Sequence, residues 1–176
     1  MVEIRRGEAR DLAGIVEIIN HYVVETPITF DVEPFTVATR RPWFDQFHAS
    51  GRHRLFVAER GGRVLGWSAS GPFRAKAAYE TTAEASVYTA PGEGGRGLGT
   101  KLYERLFEAL RGEDLHRLVA GITLPNEASL RLHARMGFER VGVFTQNGRK
   151  FGRYWDVAWH QRPAPRRIDE GDGSIS

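Results

Sequence analysis

SVYTAPGEGGRGLGTKLYERLFEAL, residues Ser86–Leu110, decides how the rest of the chain folds. Ser86–Thr89 is a short β-branched and aromatic run that suits a strand. Pro91–Gly99 cannot be regular structure, because five of its nine residues are glycine. From Thr100 to Leu110, the leucines at 102, 106 and 110 continue a four-residue spacing from Leu98, with Phe107 beside them. That is the apolar stripe of an amphipathic helix. A strand, a glycine-dense turn and a helix start make an anion site. The first helical amides lack intrahelical partners, and the dipole adds partial positive charge there. Arg96 adds a full charge, and the expected guest is a phosphate or pyrophosphate.

Two familiar phosphate loops fit poorly. A kinase-type loop closes on Gly-Lys-Ser/Thr, whereas Gly99-Thr100-Lys101 has another order. Gly95-Arg96-Gly97 opens a dinucleotide-type G-x-G-x-x-G, but Thr100 stands where the third glycine belongs.

At 176 residues the chain has the length of one domain, with ordinary hydrophobic (41%) and charged (27%) content. No apolar run approaches a membrane span, and the first residues, MVEIRRGEARD, carry charges where a signal peptide needs apolar residues. A cytoplasmic enzyme is the simplest setting. With no cysteine, disulfides, thiolate metal sites and a cysteine nucleophile are excluded together, and no metal is expected. The net charge is +3, and the arginines are scattered as pairs, not gathered into a stripe with aromatic platforms. Nucleic acid is therefore not the expected partner.

Outward from the central stretch, Val2–Arg5 reads as a strand, and Asp11 as the cap of a helix whose apolar face runs from Leu12 to Val23. Phe30, in the loop after that helix, either packs under the loop or lines a ligand pocket. A second helical stretch opens at Glu33-Pro34 and reaches about Ala49, interrupted at Pro42. Leu55–Glu59 and Val64–Ser70 are strands joined by a Gly61-Gly62 turn. Phe73–Thr82 reads as a loop or one helical turn, in which Arg74 and Lys76 are candidate anion hooks. Alternation along Ala83–Thr89 puts Glu84, Ser86 and Tyr88 on one face. A lone Glu in a central strand is costly to bury unless it is paired or working. Arg117–Thr123 is the next strand, and Asn126 caps a helix from Glu127 to Met136 that Gly137 stops. Asn126 and His133 share a face of that helix, about 10 Å apart along its axis. Phe138–Phe144 and Tyr154–His160 are the last strands, with the turn placed at Asn147-Gly148. The expected domain covers residues 1–162. Residues 163–176, rich in Pro, Gly and charge, are expected to be disordered. Hairpins mixed with βα crossovers predict an α/β (α+β) fold: a mixed sheet with helices on both faces.

Gly94-Gly95-Arg96-Gly97-Leu98-Gly99 resembles the acetyl-CoA pyrophosphate loop of the GNAT N-acetyltransferase superfamily, Q/R-x-x-G-x-G/A. Asn126, Ser129–His133 and Met136-Gly137-Phe138 resemble its last helix and exit. Ile19–Tyr22, Thr29-Phe30, Gly71–Ala75, Thr82–Glu84, Val87-Tyr88 and Leu124–Asn126 resemble the phosphinothricin and methionine sulfoximine/sulfone N-acetyltransferases. Gly94 departs from the pattern, since Gln or Arg opens the loop in the superfamily, and Arg96 is the nearest replacement. The resemblance implies a mostly antiparallel GNAT sheet whose central strands splay. Acetyl-CoA would then lie along Val87, Tyr88 and Thr89, on Gly94, Gly95, Arg96, Gly97, Leu98, Gly99 and Thr100, and against Asn126. It further implies a small-molecule amine acceptor, with Phe30, Arg74, Ala75, Lys76, Glu84, Ala85 and Ser86 around it, and a homodimer. The sequence itself offers only Trp155 and Trp159 in the last strand, expected to be exposed, as aromatics for such an interface. The resemblance also implies Glu84 as the base and His133 as its partner, and the chemistry has work for a base, since a protonated amine must lose a proton before it attacks the thioester. Other acceptors (a polyamine, an aminoglycoside, a protein N-terminus) and a non-catalytic acetyl-CoA-binding module are the competing readings.

Overall fold

The computed structural model describes residues 1–166. In chain order the elements are β1 (Glu3–Arg6), a 3₁₀ turn (Ala9–Asp11), α1 (Leu12–Glu25), α2 (Val37–Phe44), β2 (Arg54–Arg60) and β3 (Arg63–Pro72). A second 3₁₀ turn (Ala77–Tyr79) precedes β4 (Thr82–Thr89), α3 (Leu98–Ala109), β5 (Arg117–Thr123), α4 (Glu127–Arg135), β6 (Glu139–Lys150) and β7 (Arg153–Pro163). The strands form one sheet in the order β1-β2-β3-β4-β5-β7-β6. Every neighbouring pair is antiparallel except β4 and β5. These two are joined through α3, and a helical crossover is what parallel neighbours require.

The sheet buries both faces. On one, α1 lays Ile15, Ile18, Ile19 and Val23 on Val57, Trp67 and Ala69. On the other, α3 lays Tyr103, Leu106, Phe107 and Leu110 on Phe56, Ala83, Ala85, Leu118 and Ala120. Val57 and Phe56 are adjacent in β2 and serve opposite layers, as the period of a strand demands.

The feature that positions the site is the divergence of β4 from β5. Their register extends only from Thr82↔Arg117 to Glu84↔Val119. Beyond Glu84, β4 stays paired with β3 while β5 pairs with β7, so a wedge opens between the two central strands. At the wide end, the first turn of α3 meets α4. A Cβ on Gly99 would stand 3.0 Å from a Leu132 methyl.

Several local expectations are corrected. Asp11 does not cap α1 with its side chain. Its carboxylate is taken by Arg5 at 2.8 Å and by the Glu8 amide, in a turn preceding the helix. The second helix is only Val37–Phe44, capped by Thr36, and Pro42 lies inside it. The last turn is not at Asn147-Gly148. β6 runs through to Lys150, and the positive-φ pair Phe151-Gly152 makes the turn instead. Gly148 sits in the strand beside a register shift, because the ring of Phe30 lies where its side chain would be. Trp155 and Trp159 are not exposed: Trp155 donates to the Lys150 carbonyl and Trp159 packs on Gly121. The exposed aromatics of this hairpin are Phe144, Phe151 and Tyr154. β7 extends through Arg162 and Pro163. Residues 164–166 of the expected tail follow it in the described chain, and residues 167–176 lie outside the described residues.

Candidate active site

A cavity of about 480 Å³ fills the wedge. Its lining comes from four places: the glycine loop and α3 start (Gly94, Gly95, Gly97–Thr100), β4 from Glu84 to Thr89, β5 at Gly121–Thr123, and α4 with its cap (Asn126, Leu132, His133). Tyr22 and Ile28 close it on the α1 side.

At the wide end the backbone makes a cradle. Gly97 caps α3 in the left-handed region, at φ +77°, a conformation costly to any residue with a Cβ. The amide of Lys101 is the first to reach back, to the Gly97 carbonyl at 3.1 Å. Those of Leu98, Gly99 and Thr100 precede it and have no intrahelical acceptor. Free amides, a left-handed turn and a helix dipole converge on one anion-sized region. Asn126 caps α4 as the sequence predicts, its Oδ1 accepting from the Ser129 amide at 3.1 Å.

At the narrow end stands Glu84. Alternation along β4 puts it on the face of Tyr88, toward α1, while Ala83, Ala85 and Val87 serve the α3 layer. Among the described residues no cation and no hydrogen-bond donor lies on its carboxylate. Burial holds its pKa above the ordinary glutamate value, with nothing to offset it. An unpartnered, desolvated carboxylate lining a cavity has the properties of a general base.

His133 reaches the cavity from the opposite layer and makes no hydrogen bond to Glu84. Both of its nitrogens are engaged. Nδ1 lies 2.8 Å from the Ser129 carbonyl, which can only accept, so Nδ1 carries the proton. Nε2 must then accept, and the Tyr103 hydroxyl donates to it at 2.9 Å. Burial, against the help of the Ser129 carbonyl and with a further push from His160, lowers the His133 pKa to about 4. Burial pushes the Tyr103 phenol up. Near neutrality the pair is therefore uncharged, and it links α3 to α4 through buried groups. Burial also raises the Tyr88 phenol, to about 12, so it too stays protonated.

Residues 15–138 match the acetyltransferase (GNAT) family. The chain belongs to that family. The acetyltransferase is 56% identical over 164 residues to a phosphinothricin N-acetyltransferase of Streptomyces coelicolor, covering 92% of this chain and 96% of that protein. It is 38% identical to an L-methionine sulfoximine/L-methionine sulfone acetyltransferase of Pseudomonas paraeruginosa, covering 90% of this chain and 92% of that one. Among solved structures, a phosphinothricin acetyltransferase from Sinorhizobium meliloti in complex with AcCoA superposes with a TM-score of 0.85 at 30% identity, over 93% of this chain and 89% of that chain. The mixed, mostly antiparallel sheet with splayed central strands is the fold of this family.

Of the residues singled out from sequence, the acetyltransferase brings Glu84, Ala85, Ser86, Val87, Tyr88, Thr89, Gly94, Gly95, Gly97, Leu98, Gly99, Thr100, Asn126 and His133 to the cavity. Arg96, Phe30, Arg74, Ala75 and Lys76 do not line it. The Arg96 guanidinium is exposed and lies 3.7 Å from Glu93. Arg74 stacks on Phe73 and Tyr79; Phe73 meets Trp159, which covers Gly121, so Arg74 stands several side chains from the cavity. Sequence reading missed Tyr22, Ile28, Glu93, Tyr103, Arg131 and Arg135. Arg131 and Arg135 carried a usable signal: a four-residue spacing that puts both cations on one side of α4. Tyr103 carried none, because it falls within the apolar stripe of α3 and reads there as core.

Proposed function

We propose that this acetyltransferase transfers acetyl from acetyl-CoA to the primary amine of a small amino-acid analogue: phosphinothricin, methionine sulfoximine or sulfone, or a close relative. One observation carries the reading. A single cavity joins an amide cradle fit for a diphosphate to an unpartnered, desolvated carboxylate, passing through the gap between β4 and β5. The names of the relatives support the choice of acceptor.

Acetyl-CoA supplies the activated acyl group as a thioester. Its diphosphate would be held by the amides of Gly95–Thr100, with Gly94 and Asn126 at the edges, and its pantetheine arm by the β4 backbone at Val87–Thr89. An amide on that edge also serves as donor to the thioester carbonyl, where negative charge grows as the amine adds. Glu84 takes the proton from the ammonium of the acceptor, directly or through water, and so frees the lone pair that attacks. As the C–N bond forms the thioester C–S bond breaks, and the thiolate leaves with the amine's second proton as free thiol. Ala85 and Ser86 flank the amine. His133 has no free nitrogen for that proton. Its part is to hold Tyr103, and with it the spacing of α3 and α4. Arg74, Ala75 and Lys76 are left to any portion of the acceptor that projects beyond the cavity, whereas the Phe30 ring is taken up against Gly148.

The exposed apolar side chains Val141, Phe144, Phe151 and Tyr154 on the β6–β7 hairpin favour a homodimer. A reaction that consumes acetyl-CoA suits the cytoplasm. Among the described residues no helix is long and apolar enough to cross a membrane.

Release of free thiol from acetyl-CoA, followed with phosphinothricin, methionine sulfone, methionine sulfoximine, unmodified methionine, spermidine and kanamycin, tests the proposal. Turnover with the amino-acid analogues is expected. Turnover confined to spermidine or kanamycin, or none at all, would overturn it.

A further inference from the structure

The loop Thr26–Asp31 between α1 and α2 supplies Ile28 to the cavity, on the face of the sheet that carries Glu84. This loop is held from outside the site, by the β6–β7 hairpin. Lys150, the last residue of β6, is 4% exposed and points Nζ at the Thr29 carbonyl, 2.8 Å away, with the Tyr22 carbonyl at 3.5 Å. No carboxylate forms an ion pair with it among the described residues. A buried ammonium spent on backbone carbonyls is an expensive arrangement, and here it fixes one segment of chain. Two residues earlier, a Cβ on Gly148 would stand 2.5 Å from two ring carbons of Phe30 and closer still to a third. Only glycine admits the ring there. From the other side, the Thr123 hydroxyl donates to the Ile28 carbonyl at 3.4 Å. Thr29 Oγ1 donates to Asp31 at 2.8 Å and accepts from the Asp31 amide. The carbonyls of Ile28 and Thr29 are thus both taken, and Phe30 is seated on the hairpin.

We propose that Gly148 and Lys150 are specificity-determining positioning residues that, through Phe30 and the Thr29 carbonyl, hold Ile28 as the apolar wall of the acceptor end of the cavity. Neither touches the cavity, and both act through the loop. The inference rests on the acetyl-transfer reading. The wall suits an acceptor whose side chain begins with methylenes, and moving it should blunt discrimination between homologues that differ by one methylene.

Gly148→Ala, Lys150→Met and Ile28→Ala are compared with the wild-type enzyme in two assays. The first is steady-state kinetics in both substrates, using acceptors one methylene apart. The second is hydrogen exchange of the amides of residues 26–31, which needs no turnover. A methylene in an apolar pocket is worth about 10–200-fold in kcat/KM. All three variants should therefore raise the acceptor KM by about tenfold and bring the homologue ratio toward one. The KM for acetyl-CoA should stay within about twofold. In Gly148→Ala and Lys150→Met the loop amides should exchange faster. Folded Gly148→Ala and Lys150→Met proteins with wild-type acceptor KM and homologue ratio would overturn the proposal, as would an equal rise in both KM values. If the wild-type enzyme turns over no acceptor, the acetyl-transfer reading fails instead. In that case unchanged exchange in both hairpin variants still refutes the brace.

Discussion

Acidification should cost this protein stability through His133, and the loss can be isolated by replacing that one residue. Its imidazole is 4% exposed, donates from Nδ1 to the Ser129 carbonyl and accepts at Nε2 from Tyr103. A second proton on Nε2 would turn the Tyr103 hydroxyl from donor to acceptor and put a charge in a buried site. In the unfolded chain the group titrates near 6.5, and in the fold only near 4. Below 6.5 the unfolded state binds a proton that the folded state refuses, so stability falls as pH falls and the loss levels off below about 4. At about 1.4 kcal/mol per pH unit, the full penalty is about 3 kcal/mol. His133→Gln keeps an acceptor and a donor of similar reach and does not titrate. Urea unfolding of both proteins at pH 7, 6, 5 and 4 gives the difference directly. The wild-type protein should lose about 3 kcal/mol more than the variant between pH 7 and 4, with most of the change below pH 6. His160 lies near His133 and is also held below its ordinary value by burial, but it titrates in both proteins and largely cancels. A difference that is flat with pH would refute the locked, neutral histidine and return His133 to the list of candidate proton carriers.

Three further outcomes follow from the cradle and its surroundings. Gly97→Ala forces a Cβ into φ +77°, which should cost about 1–2 kcal/mol, lowering Tm by about 2–8 °C. Thermal denaturation reads that loss, and the misdirected amides should raise the KM for acetyl-CoA by about tenfold. Glu93 lines the cavity, with its carboxylate 3.1 Å from Arg60 and 3.7 Å from Arg96. Arg60→Ala should therefore leave more negative charge beside the diphosphate and raise that KM by about two- to fivefold, and adding Glu93→Gln should reverse it. Tyr103→Phe leaves His133 Nε2 buried without a donor and should cost about 1–3 kcal/mol in urea unfolding.

The central elements were legible because their signals are local. Glycine density, a helical stripe and the Asn126 cap placed β4, the loop, α3 and α4 within a residue or two. Glu84 stood out because a carboxylate in a central strand needs a reason. What the sequence concealed depends on distant contacts. Asn147-Gly148 has the composition of a hairpin turn, yet the turn lies four residues later because Phe30, far back in the chain, needs the surface of Gly148. The same contact explains why Ile28, not Phe30, reaches the cavity. Asp11 was a plausible cap whose carboxylate found a stronger partner in Arg5. Arg74 and Lys76 read as anion hooks by charge and by the Gly71–Ala75 resemblance, and neither signal tells that the loop keeps both out of the cavity lining. Glu84 and His133 both reach the cavity, but nothing in the sequence tells that the two nitrogens of His133 are taken by Ser129 and Tyr103.

The most direct test of Glu84 as base is the pH dependence of kcat/KM for the acceptor at fixed acetyl-CoA, in the wild-type enzyme and in Glu84→Gln. Burial holds this carboxyl above its ordinary value, so the wild-type rate should rise with pH through a single ionisation lying above the usual glutamate range. In Glu84→Gln the rate should fall about 10²–10⁴-fold and that ionisation should vanish from the profile. A Gln variant with the wild-type rate and the same acidic limb would contradict the assignment.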